Sequence, residues 1–133
     1  MEKKKLLKLA DFLETKIPKR GWKNWFNLTE WAQAGWVEKE CGTTACAMGW
    51  ATICFPRSDL RLTIHELSYG KVVELQYKGY MGFCAAAKFF NIGENQAEFL
   101  FSEWAYLNEA GASPTVVAKR IREFVKGHSR TKI

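Results

Sequence analysis

Cys41-Gly42-Thr43-Thr44-Ala45-Cys46-Ala47-Met48-Gly49-Trp50-Ala51 is the stretch on which the reading of this chain turns. A glycine and two hydroxyl residues lead into a run of small side chains, the pattern of a helix start built for close approach. With Thr43 or Thr44 as N-cap, backbone N–H groups and hydroxyls point at whatever lies in front. Ala45, Ala47, Gly49 and Ala51 would let a second backbone or a flat ligand come nearer than Leu or Phe permits. The helix is expected to run to about Phe55 and stop before Pro56, because proline cannot continue a helix and restricts the residue ahead of it.

On the N-terminal side, Leu6, Leu7, Ala10, Leu13 and Ile17 recur at helical spacing, which predicts an amphipathic helix over 3–16 that stops near Pro18. The aromatic-rich stretch from Arg20 to Trp31 follows neither period and reads as a short strand or a wrapping loop. On the C-terminal side, Leu60, Leu62 and Ile64 alternate, as do Val73, Leu75 and Tyr77, with Ser68-Tyr69-Gly70 between them, which predicts a β-hairpin. Gly79 and Gly82 precede a second small-residue helix, Phe83 to Phe90, ended by Asn91-Ile92-Gly93. Glu94 to Trp104 reads as a helix that turns Ala97, Phe99, Leu100, Phe101 and Trp104 to the core. Ser113-Pro114 opens the last helix, with Val117, Ile121, Phe124 and Val125 inward, Lys119, Arg120, Arg122 and Lys126 in water, and Gly127 as its end. The expected fold is α+β and mainly helical, about five helices with one small antiparallel sheet or hairpin. Residues 1–127 form one globular domain followed by a basic tail, 128–133, and the two helices rich in small residues lie close together at its centre.

The chain has 133 residues and 47% hydrophobic content, enough for one core. Its net charge of +6 is unevenly placed: +4 over residues 1–20, −3 over 21–112 and +5 over 113–133. The basic excess belongs to the ends, which argues against a basic nucleic-acid saddle across the whole domain. No apolar run approaches the ~20 residues that span a bilayer, and the N-terminal stretch is amphipathic, so a cytoplasmic protein with reduced cysteines is expected.

Cys41 and Cys46 have a spacing seen in zinc sites, but Cys54, Cys84, His65 and His128 supply no second pair, and no metal or cofactor is expected. A cysteine beside a helix start could act as a nucleophile with His65 as base, yet a small buried cysteine between alanines is explained by packing alone. No catalytic residue is assigned, and the protein is read as a binder. Trp25 or Trp31 would stack on a ring, Gly42, Thr43 and Thr44 would hold phosphate, and Arg57 or Tyr80 would complete the pocket with a cation or a hydroxyl. The alternatives are a protein- or nucleic-acid-binding module working through the basic terminal helices, and a cysteine-dependent enzyme. Oligomeric state is left open.

The segment from Leu7 to Leu13, the Cys41 to Ala51 stretch, Tyr80-Met81-Gly82 with Ala85 to Ile92, Leu100-Phe101, and Pro114 to Val125 together resemble a family of small bacteriophage and prophage proteins with a CGTxACAxGxA signature. The resemblance implies a protein working in the host cytoplasm against host defence, with a host defence protein as a further partner. One tactic of such proteins is to sequester a nucleotide immune signal, of the cyclic ADP-ribose or cyclic oligonucleotide kind.

Overall fold

The structure, a computed structural model, describes residues 1–17, 20–21, 25–28, 31–33, 45–106 and 112–130, the last three as backbone only. Cys41, Gly42, Thr43 and Thr44 lie outside the described residues, as do Trp22 and Trp36 and the side chains of the basic tail. The described residues form five α-helices and a three-stranded antiparallel sheet, so the fold is α+β and mainly helical.

Helix α1 (Lys3–Lys16) buries Leu6, Leu9, Ala10 and Leu13 and ends at Ile17, whose extended backbone suits the proline that follows. Leu9 rather than Leu7 faces the core; Leu7 stays 39% exposed. Both leucines fit a 3.6-residue period, and packing against the last helix selects between them. The Glu2 N–H donates to the Phe90 carbonyl at 2.8 Å, tying the start of α1 to the end of a later helix.

Helix α2 (Ala47–Cys54) opens four residues later than Thr43, with Cys46 as N-cap in extended conformation. Ala45 explains the delay, because it is engaged as a bridge residue between Phe26 and Ala32. The helix closes when the Phe55 N–H reaches back to the Ala51 carbonyl, just before Pro56.

Strands β1 (Arg61–Leu67) and β2 (Gly70–Tyr77) form the expected hairpin, in register from Arg61 opposite Gln76 to Leu67 opposite Gly70. A third strand, β3 (Tyr80–Met81), turns back along β2 through Lys78 and Gly79, both at positive φ (46° and 88°). Two successive left-handed residues make the mirror-image turn that matches strand twist. Helix α3 (Gly82–Phe90) follows and is terminated by Asn91 in the left-handed conformation.

Helix α4 (Glu94–Phe101) starts at Gly93, whose N–H bonds the Gln96 side chain at 2.8 Å. It ends at Phe101, three residues short of Trp104, and a 3-10 turn (Glu103–Tyr106) takes over. Ser102 makes the break by accepting the Trp104 N–H on its own hydroxyl at 3.2 Å. Ala97, Leu100 and Phe101 are buried, whereas Phe99 and Trp104 point outward. Helix α5 (Pro114–Arg130) opens on the Ser113 hydroxyl, which accepts the Val116 N–H at 3.1 Å. It runs through Gly127 instead of ending there.

Contact between α1 and α5 forms one wall of the core, and α3 packs against both β2 and α4. Phe55, Tyr77, Phe90 and Phe101 surround Phe89 and one another at centroid separations of 4.9 to 6.4 Å, mostly edge to face. Helices α2 and α3 do not form the expected close pair: α2 packs chiefly on α1 and β1, and α3 on β2, β3 and α4.

Candidate functional site

The small residues of α2 serve a different neighbour, the backbone that carries Trp31. A Cβ added to Gly49 would lie 2.4 Å from the Trp31 carbonyl oxygen and 2.8 Å from the Ala45 Cβ. The Trp31 carbonyl accepts the Cys46 N–H at 3.0 Å. The Trp25 carbonyl in turn accepts the Ala45 N–H at 3.3 Å and the Trp50 indole N–H at 2.9 Å, while the Asn27 N–H donates to Ala45 at 3.0 Å. Two tryptophan-bearing segments are therefore laced to Ala45 and Cys46, the residues immediately ahead of α2. The Trp31 ring meets Phe83 edge to face at 4.9 Å and lies 3.8 Å from where a Gly82 Cβ would be.

Cys46 contributes no side-chain cap, and the first intrahelical donor is Trp50, to the Cys46 carbonyl at 3.0 Å. The N–H groups of Ala47, Met48 and Gly49 have no hydrogen-bond partner among the described residues. Unpaired amides at a helix start carry the positive end of the helix dipole and favour an anion.

Of the residues singled out in the sequence, Trp25 and Trp31 are brought to the front of α2, Trp25 46% exposed and Trp31 partly covered. Gly42, Thr43 and Thr44 lie outside the described residues, and the N-cap position expected for a threonine is held by Cys46. Tyr80 is exposed on β3, two residues before Gly82, with the Lys88 ammonium 5.0 Å from its ring centre. Arg57 follows the opposite end of α2, which at 1.5 Å per residue is roughly 12 Å from the helix start.

Cys46 and Cys54 are buried, and burial pushes the Cys54 thiol up from its ordinary value, with nearby Lys8 pulling the other way. His65 sits on the exposed hairpin, its Nε2 3.1 Å from the Glu74 carboxylate. No group of three His, Cys, Asp or Glu side chains converges on a metal position among the described residues. No family model, curated protein or solved structure matches this chain. Among the described residues, no helix is long and apolar enough to cross a membrane.

The basic C-terminal helix is committed inward more than its sequence suggests. The Arg120 guanidinium donates to the Phe99 carbonyl at 3.1 Å and the Ala105 carbonyl at 2.6 Å, and its centre lies 3.8 Å from the Tyr106 ring centroid. Tyr106 donates its hydroxyl to the Leu100 carbonyl at 2.7 Å. Arg120 and Tyr106 thus satisfy carbonyls that the end of α4 leaves open. Arg122 pairs with Asp11 at 2.6 Å and with Glu14, fastening α5 to α1. Sequence reasoning placed both arginines in water, because their acceptors belong to elements far away in the chain.

Proposed function

We propose that this protein binds a small phosphorylated nucleotide at the start of α2 and withholds it from signalling. One observation carries the reading. The amides of Ala47, Met48 and Gly49, without a hydrogen-bond partner among the described residues, directly follow the junction where the Trp25 and Trp31 segments are hydrogen-bonded to Ala45 and Cys46. Phosphate oxygens suit the amides, and an aromatic ring suits an exposed indole. Gly42, Thr43 and Thr44 immediately precede this junction in sequence and would add hydroxyl and amide donors. Tyr80 on β3 would supply a hydroxyl at the pocket edge, and Arg57 lies beyond the end of α2 opposite the helix start.

The anti-defence role, the host cytoplasm as its setting, and a cyclic ADP-ribose-like or cyclic oligonucleotide ligand follow from the resemblance to small phage proteins. No chemistry on the ligand is required. The alternative module working through basic terminal helices has less to draw on, since Arg120 and Arg122 already hold internal partners. Expressing the protein in cells that produce a cyclic nucleotide signal, then denaturing the purified chain and identifying released small molecules by mass spectrometry, tests the reading. A phosphorylated species released from the native chain but not from Trp31→Ala supports it; identical release from both refutes the assigned site.

A further inference from the structure

The outward surface of α4 and the 3-10 turn is an apolar cleft on the acidic portion of an otherwise cationic chain. Trp104 is 80% exposed and Phe99 48% exposed. With Phe83, Glu98 and Ala105 they line an open cleft of about 620 Å³. Phe99 is also a wall of a second cleft, of about 420 Å³, which carries Lys119, Arg120 and Glu123 with Phe124 on α5 and is therefore not acidic. Large aromatic side chains grouped in water mark a surface that is covered when the protein works.

Charge identifies what covers it. Glu94 and Glu98 stand one turn apart on α4, and Glu103 precedes Trp104; all three are exposed, and none forms an ion pair among the described residues. They remain so in a chain with 20 Lys and Arg against 14 Asp and Glu, where cations are in excess. An anionic ligand is repelled from such a rim, so this cleft is separate from a phosphate site at α2. The complementary partner is cationic and brings apolar area for Trp104 and Phe99.

The same region already displays the chemistry on its inner side. Arg120 lies 4.6 Å from the Phe99 ring centroid while its guanidinium donates to the Phe99 and Ala105 backbone carbonyls. Trp104 is exposed in a cleft whose lining includes Glu98, with Glu103 its exposed neighbour in sequence, residue types suited to guanidinium stacking and charge-assisted hydrogen bonding. We infer that the Phe99–Trp104 cleft docks an arginine-bearing, cationic peptide segment of a partner protein.

Fluorescence anisotropy of a labelled arginine- and leucine-rich peptide titrated with the full chain tests this, with the Arg→Glu version of the peptide as control. Saturable binding of the cationic peptide alone is expected, weakened at least about ten-fold by Trp104→Ala and by Glu98→Lys with Glu103→Lys. Glu66→Lys, the same charge change on the remote hairpin, should leave affinity within about two-fold. Should Trp104→Ala disturb folding, the glutamate variants carry the test alone. Absence of binding, equal loss from Glu66→Lys and from the Glu98/Glu103 pair, or self-association of the chain that Trp104→Ala abolishes, would each overturn the assignment. Nucleotide binding at α2 is measured separately and does not depend on the result.

Discussion

Gly49→Ala is the sharpest perturbation of the junction ahead of α2. In an open helix interior this change raises stability by about 1 kcal/mol, because glycine loses more backbone entropy on folding. At Gly49 the new Cβ lies 2.4 Å from the Trp31 carbonyl oxygen, a backbone atom that cannot rotate away. The Trp31 segment must shift by about 1 Å, straining or breaking the 3.0 Å bond to the Cys46 N–H. Over-packing of this kind costs about 1–3 kcal/mol, and losing the bond about 1 kcal/mol more. After the propensity gain, a net loss of about 1–3 kcal/mol is expected, a fall in melting temperature of roughly 4–12 °C for a chain of this size. Gly127→Ala is the matched control, as its Cβ would meet nothing within 4 Å, and it should gain up to about 1 kcal/mol. Urea unfolding followed by circular dichroism measures both. A Gly49→Ala protein as stable as the wild type would refute the claim that α2 is glycine-bearing in order to admit the Trp31 backbone.

Arg120→Met keeps the apolar stem but removes two hydrogen bonds and the stack on Tyr106, so about 2–3 kcal/mol should be lost, whereas Arg122→Gln, on a partly exposed ion pair, should cost under about 1 kcal/mol and less in high salt; chemical denaturation distinguishes them. Cys54 has its thiol raised mainly by burial, so the folded chain retains that proton where the unfolded chain releases it. Its contribution is fully present at neutral pH and falls as the pH climbs past about 9, and Cys54→Ala should flatten that part of a stability-against-pH curve. Gly79→Ala places a Cβ at φ +88° in the β2–β3 turn and should cost about 1–2 kcal/mol by thermal melting.

The hairpin was legible because alternation and turn residues agree locally, and α5 opened at Ser113-Pro114 because capping is a matter of four adjacent residues. The start of α2 was not, since bridges from Ala45 to Phe26 and Ala32 hold the chain extended past the threonines. Helical periodicity carried on through Ser102, where a side-chain hydrogen bond diverts the backbone without a glycine or proline to announce it. Gly127 resembled a terminator, but it lies inside α5, which runs on to Arg130. For the candidate site, the nearness of Trp25 and Trp31 to the helix start was foreseeable from the short sequence separation. The displacement of Arg57 to the far end of α2 follows only once the helix is known to begin at Ala47.

The central claim is that the amides opening α2 and the indoles beside them form one nucleotide site, and isothermal titration of the purified chain with cyclic dinucleotides, cyclic trinucleotides and cyclic ADP-ribose isomers tests it most directly. The account predicts saturable heat with at least one of them, abolished in Trp31→Ala and weakened in Gly49→Ala. No heat from any of these nucleotides, or binding that both variants leave unchanged, would contradict it.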